Sequence, residues 1–323
     1  MIARGVIAVM AAAGMAGATD RAAVAEAFPT RPVRIVVPTT PGGTLDFVAR
    51  LIAPKLNESW GHGAIVDNRA GAGGIIGYDI AAKANPDGHT IAMVASTFTV
   101  TAGVHRKLPY HSVHDFAPVT LVTYSPWVLV VHPGLPVRSV KELIAITRER
   151  PGQINYASTG NGGATHLAVE LLKSLTGADL THVPYKGTVA GVIDVISGQV
   201  QLIITGFTST MPQVTSGKLR LIAMTGRSRI AALPDVPTIG ESVPGYEYNN
   251  WFGVLAPRAT PRLIVLRLHG DIVRALQTND VRQPLLAQSM EPAGTTPAQF
   301  GDTIQQEISK YATLAKKLGV QID

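Results

Sequence analysis

Short β-branched runs alternate with segments of helical periodicity from residue 33 onward, and this alternation limits the fold more than any other feature of the chain. Residues 33–38, 64–66 and 90–95 read as strands, with helices expected over 45–57 and 74–84. The strands are almost continuously apolar, so both of their faces need cover, and helices on either side of a mainly parallel sheet provide it. A second block repeats the rhythm, with strands at 127–131, 154–157, 182–184 and 199–204 and helices at 140–149, 165–176 and 189–197. A strand at 219–224 follows, then a loop-rich stretch holding Pro234, Pro237, Pro244 and Gly245, a strand at 252–255 and two closing helices. The expected fold is α/β, with two lobes of mainly parallel sheet. Residues 28–123 and 250–323 form one lobe and 124–249 the other, so two segments cross between them and can act as a hinge. Ligands of such sheets bind outside the carboxyl ends of the strands.

The chain has 323 residues, more than one average domain. With 46% hydrophobic and 15% charged residues it is neither a disordered chain nor a nucleic-acid-binding tail. Lysine and arginine outnumber aspartate and glutamate by 28 to 22, but the charges are scattered singly. That balance mildly favours anionic ligands and presents no basic stripe for nucleic acid. Arg4, an apolar small-residue run over residues 5–17 and the A-x-A sites beyond it read as a secretory signal occupying residues 1–27. Cleavage fits after Ala18, Ala25 or Ala27, and the run is too short for a membrane span. Cysteine is absent, so there is no disulfide, thiol nucleophile or lipid-bearing residue. The expectation is an exported, monomeric periplasmic protein without a cofactor.

Two segments carry chemistry. In PTTPGGTLDFVAR, residues 38–50, a strand ends at a proline, turns through Gly42 and Gly43 and enters a helix. Glycines let the backbone approach a ligand, while free amides and the positive end of the helix dipole favour a carboxylate. Asp46, in the first turn, either caps these amides or faces the ligand. YASTGNGGATHL, residues 156–167, has the same form and adds Ser158, Thr159, Asn161 and Thr165 as donors. Two such helix starts, one from each block, can hold a small acid across a cleft, or can be ordinary glycine-rich turns. Neither GNGG nor the GAGG at 71–74 completes a dinucleotide fingerprint. His105, His111, His114 and Asp115 lack a recognised metal-ligand spacing and read as solvated loop residues. No nucleophile elbow is present, and His166 has no visible triad partners.

The segments RPVRIVVPTTPGGTLDFVARLIAPKL, IVDNRAGAGGIIGYDIAAKANPDGHTI, DFAPVTLV, INYASTGNGGATHLAVELL, HVPYKGT and LPDVPTIGESVPGY follow one another in consistent order. Together they resemble the Bug receptors, the extracytoplasmic substrate-binding proteins of tripartite tricarboxylate transporters. The resemblance implies a two-lobed periplasmic binding fold of type II, closing as a clamp on a carboxylate held largely by backbone amides. It implies no catalysis. Carried over by position, Thr40, Gly42, Gly43 and Asp46 belong to the first-lobe loop and Ser96 and Thr97 to its neighbour. In the second lobe Ser158, Asn161, Gly162, Gly163 and Thr165 match the glycine loop, Tyr185, Lys186 and Gly187 a P-Y-x-G segment, and Thr205 the rim. Two positions depart from the family pattern: HSVH at 111–114 replaces an Asp-Pro-x-Lys-like turn, and Thr205 stands where many members carry an acid, which disfavours amino-bearing ligands. Lys186 either pairs with a second acidic group or is a solvated loop lysine. The implied partners are a small carboxylate and the membrane subunits of a transporter, or alternatively the ectodomain of a sensor kinase. Dicarboxylates, tricarboxylates, amino acids and aromatic acids all remain open as ligands.

Overall fold

Val33, Ile35 and Val37 of strand β1 (Val33–Val37) join one apolar cluster and Val36 joins another, the two-residue alternation of a strand covered on both faces. The computed structural model describes residues 28–319 except 126, 186, 231 and 232. The expected export segment, its three cleavage points and Lys186 therefore lie outside the described residues.

After β1 come α1 (Thr44–Trp60), β2 (Ala64–Asn68), α2 (Ile75–Ala82), β3 (Thr90–Ala95), α3 (Thr97–Val104) and β4 (Phe116–Tyr124). The chain then crosses to a second sheet through β5 (Trp127–Val131), α4 (Val140–Glu149), β6 (Asn155–Ser158), α5 (Ala164–Thr176), β7 (Thr181–Pro184), α6 (Thr188–Ile196), β8 (Leu202–Gly206), α7 (Phe207–Thr215), β9 (Arg220–Met224) and α8 (Ile239–Ser242). It returns in β10 (Trp251–Pro257), α9 (Arg262–Gln277), α10 (Asn279–Ala287), β11 (Glu291–Pro292) and α11 (Pro297–Leu318). The first sheet has the order β11-β4-β10-β3-β1-β2 and the second β7-β6-β8-β5-β9.

Both sheets are mixed, with most strands of each running one way, within the expected two-lobed α/β architecture. β10 is antiparallel to both β3 and β4, and β5 is antiparallel to both β8 and β9. The reason is topological. β1, β3 and β4 end at the cleft, as do β6 and β8, so a strand arriving from the other lobe starts where its neighbours stop and must run the other way. The crossing segments lie side by side: Ser125 N–H donates to Asn250 O at 2.7 Å, and Trp251 pairs with Tyr124. Elements not expected from the sequence include β4, α3, α7, β11, a third closing helix and the short α8, which opens with a Thr238–Glu241 capping box inside the loop-rich stretch.

Helix α11 ties the lobes together. It begins at Thr296 with a capping box to Gln299 and Pro297 in the first turn, and runs along α3. Tyr311, Leu314 and Ala315 share one apolar cluster with Val100 and Val104 of α3 and with Leu167, Leu171 and Tyr248 of the other lobe. Glu307 is buried and accepts from Thr99 Oγ1 at 2.8 Å and from Trp251 Nε1 at 3.0 Å. Burial pushes its carboxyl above the usual carboxylate range. Lys310 donates to Glu247 O at 3.1 Å and lies 4.8 Å from the centre of the Tyr311 ring.

Gly103 lets α3 and α11 approach, because a Cβ there would lie 2.8 Å from both Ala312 N and Tyr311 Cβ. Gly103→Ala is expected to lower the unfolding free energy by about 1–3 kcal/mol through overpacking. Urea unfolding should show a lower midpoint at an unchanged slope.

Candidate functional site

The two glycine turns are built on one plan. At the end of β1 the chain passes through Gly42, at φ +83°, to Gly43, the N-cap of α1. At the end of β6 it passes through Gly162, at φ +70°, to Gly163, the N-cap of α5. Neither N-cap has a side chain, so the first-turn amides of both helices lack a capping acceptor. In each turn the amide just before the N-cap donates to a side chain four residues ahead: Gly42 N to Asp46 Oδ2 at 2.8 Å, and Gly162 N to His166 Nδ1 at 3.0 Å. The sequence pattern is thus G-G-x-x-acceptor in both lobes.

Asp46 is 2% exposed and its partners occupy both oxygens: Arg50 Nε at 2.9–3.0 Å, Asn68 Nδ2 at 2.9 Å and the Gly42 amide. Burial pushes its carboxyl up, but the hydrogen bonds from Arg50, Gly42 and Asn68 outweigh this and hold it below the usual carboxylate range. Of its two readings, the geometry gives Asp46 the capping one. In the other lobe Thr165 Oγ1 accepts from Thr159 N at 2.8 Å and bonds Thr159 Oγ1 at 2.9 Å, closing the turn upon itself.

Behind this second turn lies a network that the sequence did not reveal. His166 stacks on His182 at 4.0 Å between ring centres, and Tyr156 stacks on His182 at 4.9 Å. Tyr156 donates to Glu170 at 2.6 Å, which also receives Lys173 at 2.7 Å. Ser158 Oγ lies 2.6 Å from His182 Nε2, a nucleophile–base distance. Yet Ser158 has no exposed surface and its hydroxyl also meets Gly160 N–H at 3.1 Å, so a reacting carbon has no route to it.

A cavity of about 590 Å³ separates the two turns and is lined from both lobes, by Thr40, Leu45 and Thr97 on one side and Asn161, Gly162, Gly163 and Thr165 on the other. A second cavity of about 390 Å³ runs from Gly42 and Gly43 to Gly206 and Phe207. Trp127 contacts both. The structure thus brings Thr40, Gly42, Gly43, Thr97, Asn161, Gly162, Gly163 and Thr165 to the cleft. Ser96, Ser158 and Thr205 are buried and line neither cavity; Ser96 Oγ bonds Asn250 Oδ1 at 2.9 Å, and Thr205 pairs with Val128 inside the sheet. Tyr185 donates to Asp194 at 2.6 Å and Gly187 is the N-cap of α6, whose first residue, Thr188, reaches the larger cavity. Residues missed by the sequence reading include Leu45, Tyr78, Val100, Val104 and Trp127, apolar side chains indistinguishable from core in a sequence. His105, His111 and Asp115 line a separate cavity of about 680 Å³, and His111 Nδ1 accepts from the amides of 113 and 114 as part of a local turn. Among the described residues no three His, Cys, Asp or Glu side chains gather as a metal site, and no helix is long and apolar enough to cross a membrane.

Residues 48–320 match the family model described as the tripartite tricarboxylate transporter family receptor. This chain belongs to that family. A protein from the tcbD–tcbE intergenic region of Pseudomonas sp. strain P51 is 40% identical over 94% of this chain and 91% of its own. BugT of Bordetella pertussis is 36% identical over 92% of each. Among solved structures, an R. palustris protein with adipate has 37% identity and a TM-score of 0.77 over 91% of this chain and 99% of its own. MatC from Rhodopseudomonas palustris with bound malate has 32% identity and a TM-score of 0.73 over 89% and 99%. The receptor therefore has the two-lobed periplasmic binding fold that the resemblance implied, and its family is one of solute-binding receptors.

His166 in the receptor also makes a stability prediction. Burial, with His182 beside it, pushes its pKa from 6.5 to about 4. The folded state then takes up this proton less readily than the unfolded chain, so stability is full above pH of about 6.5 and falls as the pH drops toward 4. The limiting slope is about 1.4 kcal/mol per pH unit for one such group. Denaturant unfolding measured from pH 7 to 4.5 should show this loss, and His166→Asn should flatten it; an unchanged slope would mean that His166 is not held neutral.

Proposed function

We propose that this chain is an extracytoplasmic solute-binding receptor that captures a small carboxylate between its lobes and delivers it to the membrane subunits of a tripartite tricarboxylate-type transporter, without transforming it. One observation carries the reading: the cleft is lined from both lobes at the starts of uncapped helices, its larger cavity by Thr40 and Leu45 with the glycine turn that opens α5, and its smaller by Gly42 and Gly43 with Gly206 and Phe207. Such helix starts present amides and the positive end of a dipole, which favour an anion over a neutral ligand. Relatives solved with adipate and malate support a carboxylate.

In this reading Thr40, Gly42 and Gly43 on one lobe and Asn161, Gly162, Gly163 and Thr165 on the other form the anion site, with Thr97, Tyr185 and Gly187 at its margin. Asp46, Ser96, Ser158 and Thr205 shape the loops and strand ends behind it. The lobes comprise residues 28–123 with 250–323, and 124–249, and close about the paired crossing segments. Export removes the segment up to residue 27, and the mature receptor acts as a periplasmic monomer.

A thermal-shift panel of small acids, each beside its fully amidated analogue and a set of neutral sugars, tests the proposal. At a ligand concentration of 100 times the dissociation constant, linkage adds about 2.7 kcal/mol of stability. That corresponds to a rise of several degrees, at roughly 2–4 °C per kcal/mol. At least one acid should stabilise and its amide should not. A sugar or an amide that stabilises while every acid fails would refute the reading. Gly162→Val should abolish acid binding in protein that still folds, because a branched side chain is strained at positive φ and fills the space of the anion. Undiminished affinity by calorimetry would place the site elsewhere.

A further inference from the structure

We propose that the ligand of the interlobe cavity is an acid with an apolar body, carrying no ammonium, hydroxyl or other charged substituent between its carboxylate and its far end. The proposal deepens the carboxylate-receptor reading and rests on it. A volume of about 590 Å³ lies within the usual range for small-molecule sites. Those walls divide by chemistry. Amides and hydroxyls concentrate where α1 and α5 begin, and Thr39 Oγ1, buried and without a hydrogen-bond partner among the described residues, lines the same end as Thr40. Leu45, Tyr78, Val100, Val104 and Trp127 make up much of the remainder, with Thr97, Thr101, His105 and Thr188 set among them.

No Lys, Arg, Asp or Glu is among the described residues lining this cavity, and His105 is its one histidine. The Tyr78 hydroxyl is engaged by the Ala95 backbone and the Thr97 side chain. Asp46, the acid nearest in sequence to the first turn, is spent on Gly42, Arg50 and Asn68. An ammonium group resting against Val100 and Val104 would lose its water and gain no counter-charge, and a buried unpaired charge is far more unfavourable than a buried methylene is favourable. A hydroxyl in the same place would meet only Thr101 and His105, Thr97 being engaged by Tyr78, and would lose more hydrogen bonds than it regains. A methylene chain or ring there is removed from water instead.

Calorimetry on the mature protein with acids matched in length provides the test: butanoate, hexanoate, glutarate and adipate against glutamate, 2-aminoadipate, malate and citrate, with hexanamide and glucose as neutral probes. The unsubstituted acids should bind, tightening about fourfold per added methylene until the cavity is filled. Each amino or hydroxy counterpart should bind at least about tenfold more weakly. Val104→Thr keeps the shape of the wall while adding a hydroxyl, and should weaken the apolar acids several-fold; if it does not fold, Val104→Ala should weaken them as well. Tighter binding of glutamate, 2-aminoadipate, malate or citrate than of the unsubstituted acids would overturn the inference and leave the carboxylate reading intact. Binding of hexanamide or glucose alone, or of no compound in the panel, would overturn both.

Discussion

Strand β10 is buried along its whole length and lies antiparallel between β3 and β4, and the geometry of the cleft follows from that position. It enters from the cleft side, so its first residue, Trp251, stands where β3 and β4 end. From there the Trp251 indole reaches Glu307, and Asn250 receives Ser96 from one lobe and Ser125 from the crossing strand. The lobes are therefore linked in two ways. The paired crossing segments use directional backbone hydrogen bonds, whereas α11 relies mainly on apolar packing, with one side-chain hydrogen bond from Lys310 to Glu247 O. Any movement of one lobe against the other must keep the first and can redistribute the second.

The proposed anion site draws on no cationic side chain among the described residues lining the two cleft cavities. Each glycine turn is fixed from behind, by Asp46 in one lobe and His166 in the other, through the amide preceding the N-cap. Gly163 N–H closes its own turn on Gly160 O at 3.2 Å, while the first-turn amides of both helices stay uncapped, and orienting donors before a ligand arrives is what makes them effective. The two acceptors differ in one respect: a carboxylate stays an acceptor across ordinary pH, but His166 Nδ1 accepts only while unprotonated. Its burial beside His182, which pushes its pKa down to about 4, preserves that state.

Much of this was legible in the sequence, and the failures have physical causes. β1, α1, β3 and α5 follow their periodicity closely because apolar burial alone decides them. β4 was hidden by Pro118, which a central strand rarely accepts; here the pairing with β10 shifts register between Val254 and Leu255, beside Pro118. α3, TFTVTAGV, is rich in β-branched residues that favour strands, and packing against α11 overrides that preference. The reversal of β5 and β10 depends on which edge of a sheet the chain enters, which periodicity does not encode. At the site, glycines and polar loop residues stood out, while Leu45, Val100 and Val104 read as ordinary core. His166 was weighed only as a catalytic residue, and its capping role escaped notice because its partner is an amide, although its spacing from Gly162 repeats that of Asp46 from Gly42.

The insertion of β10 also orders events in time. Its neighbour β3 is complete about 150 residues before β10 is made, and at about 5–20 residues per second a ribosome takes roughly 10–30 s to supply the missing strand. Until then β3 and β4 have a strand-wide gap between them, and neither sheet edge can be satisfied locally. Such sequence-distant pairing also slows folding once the chain is finished. The nascent chain is thus kept loose by its own topology, an interval during which a chaperone or a translocation channel can engage it before the first lobe closes.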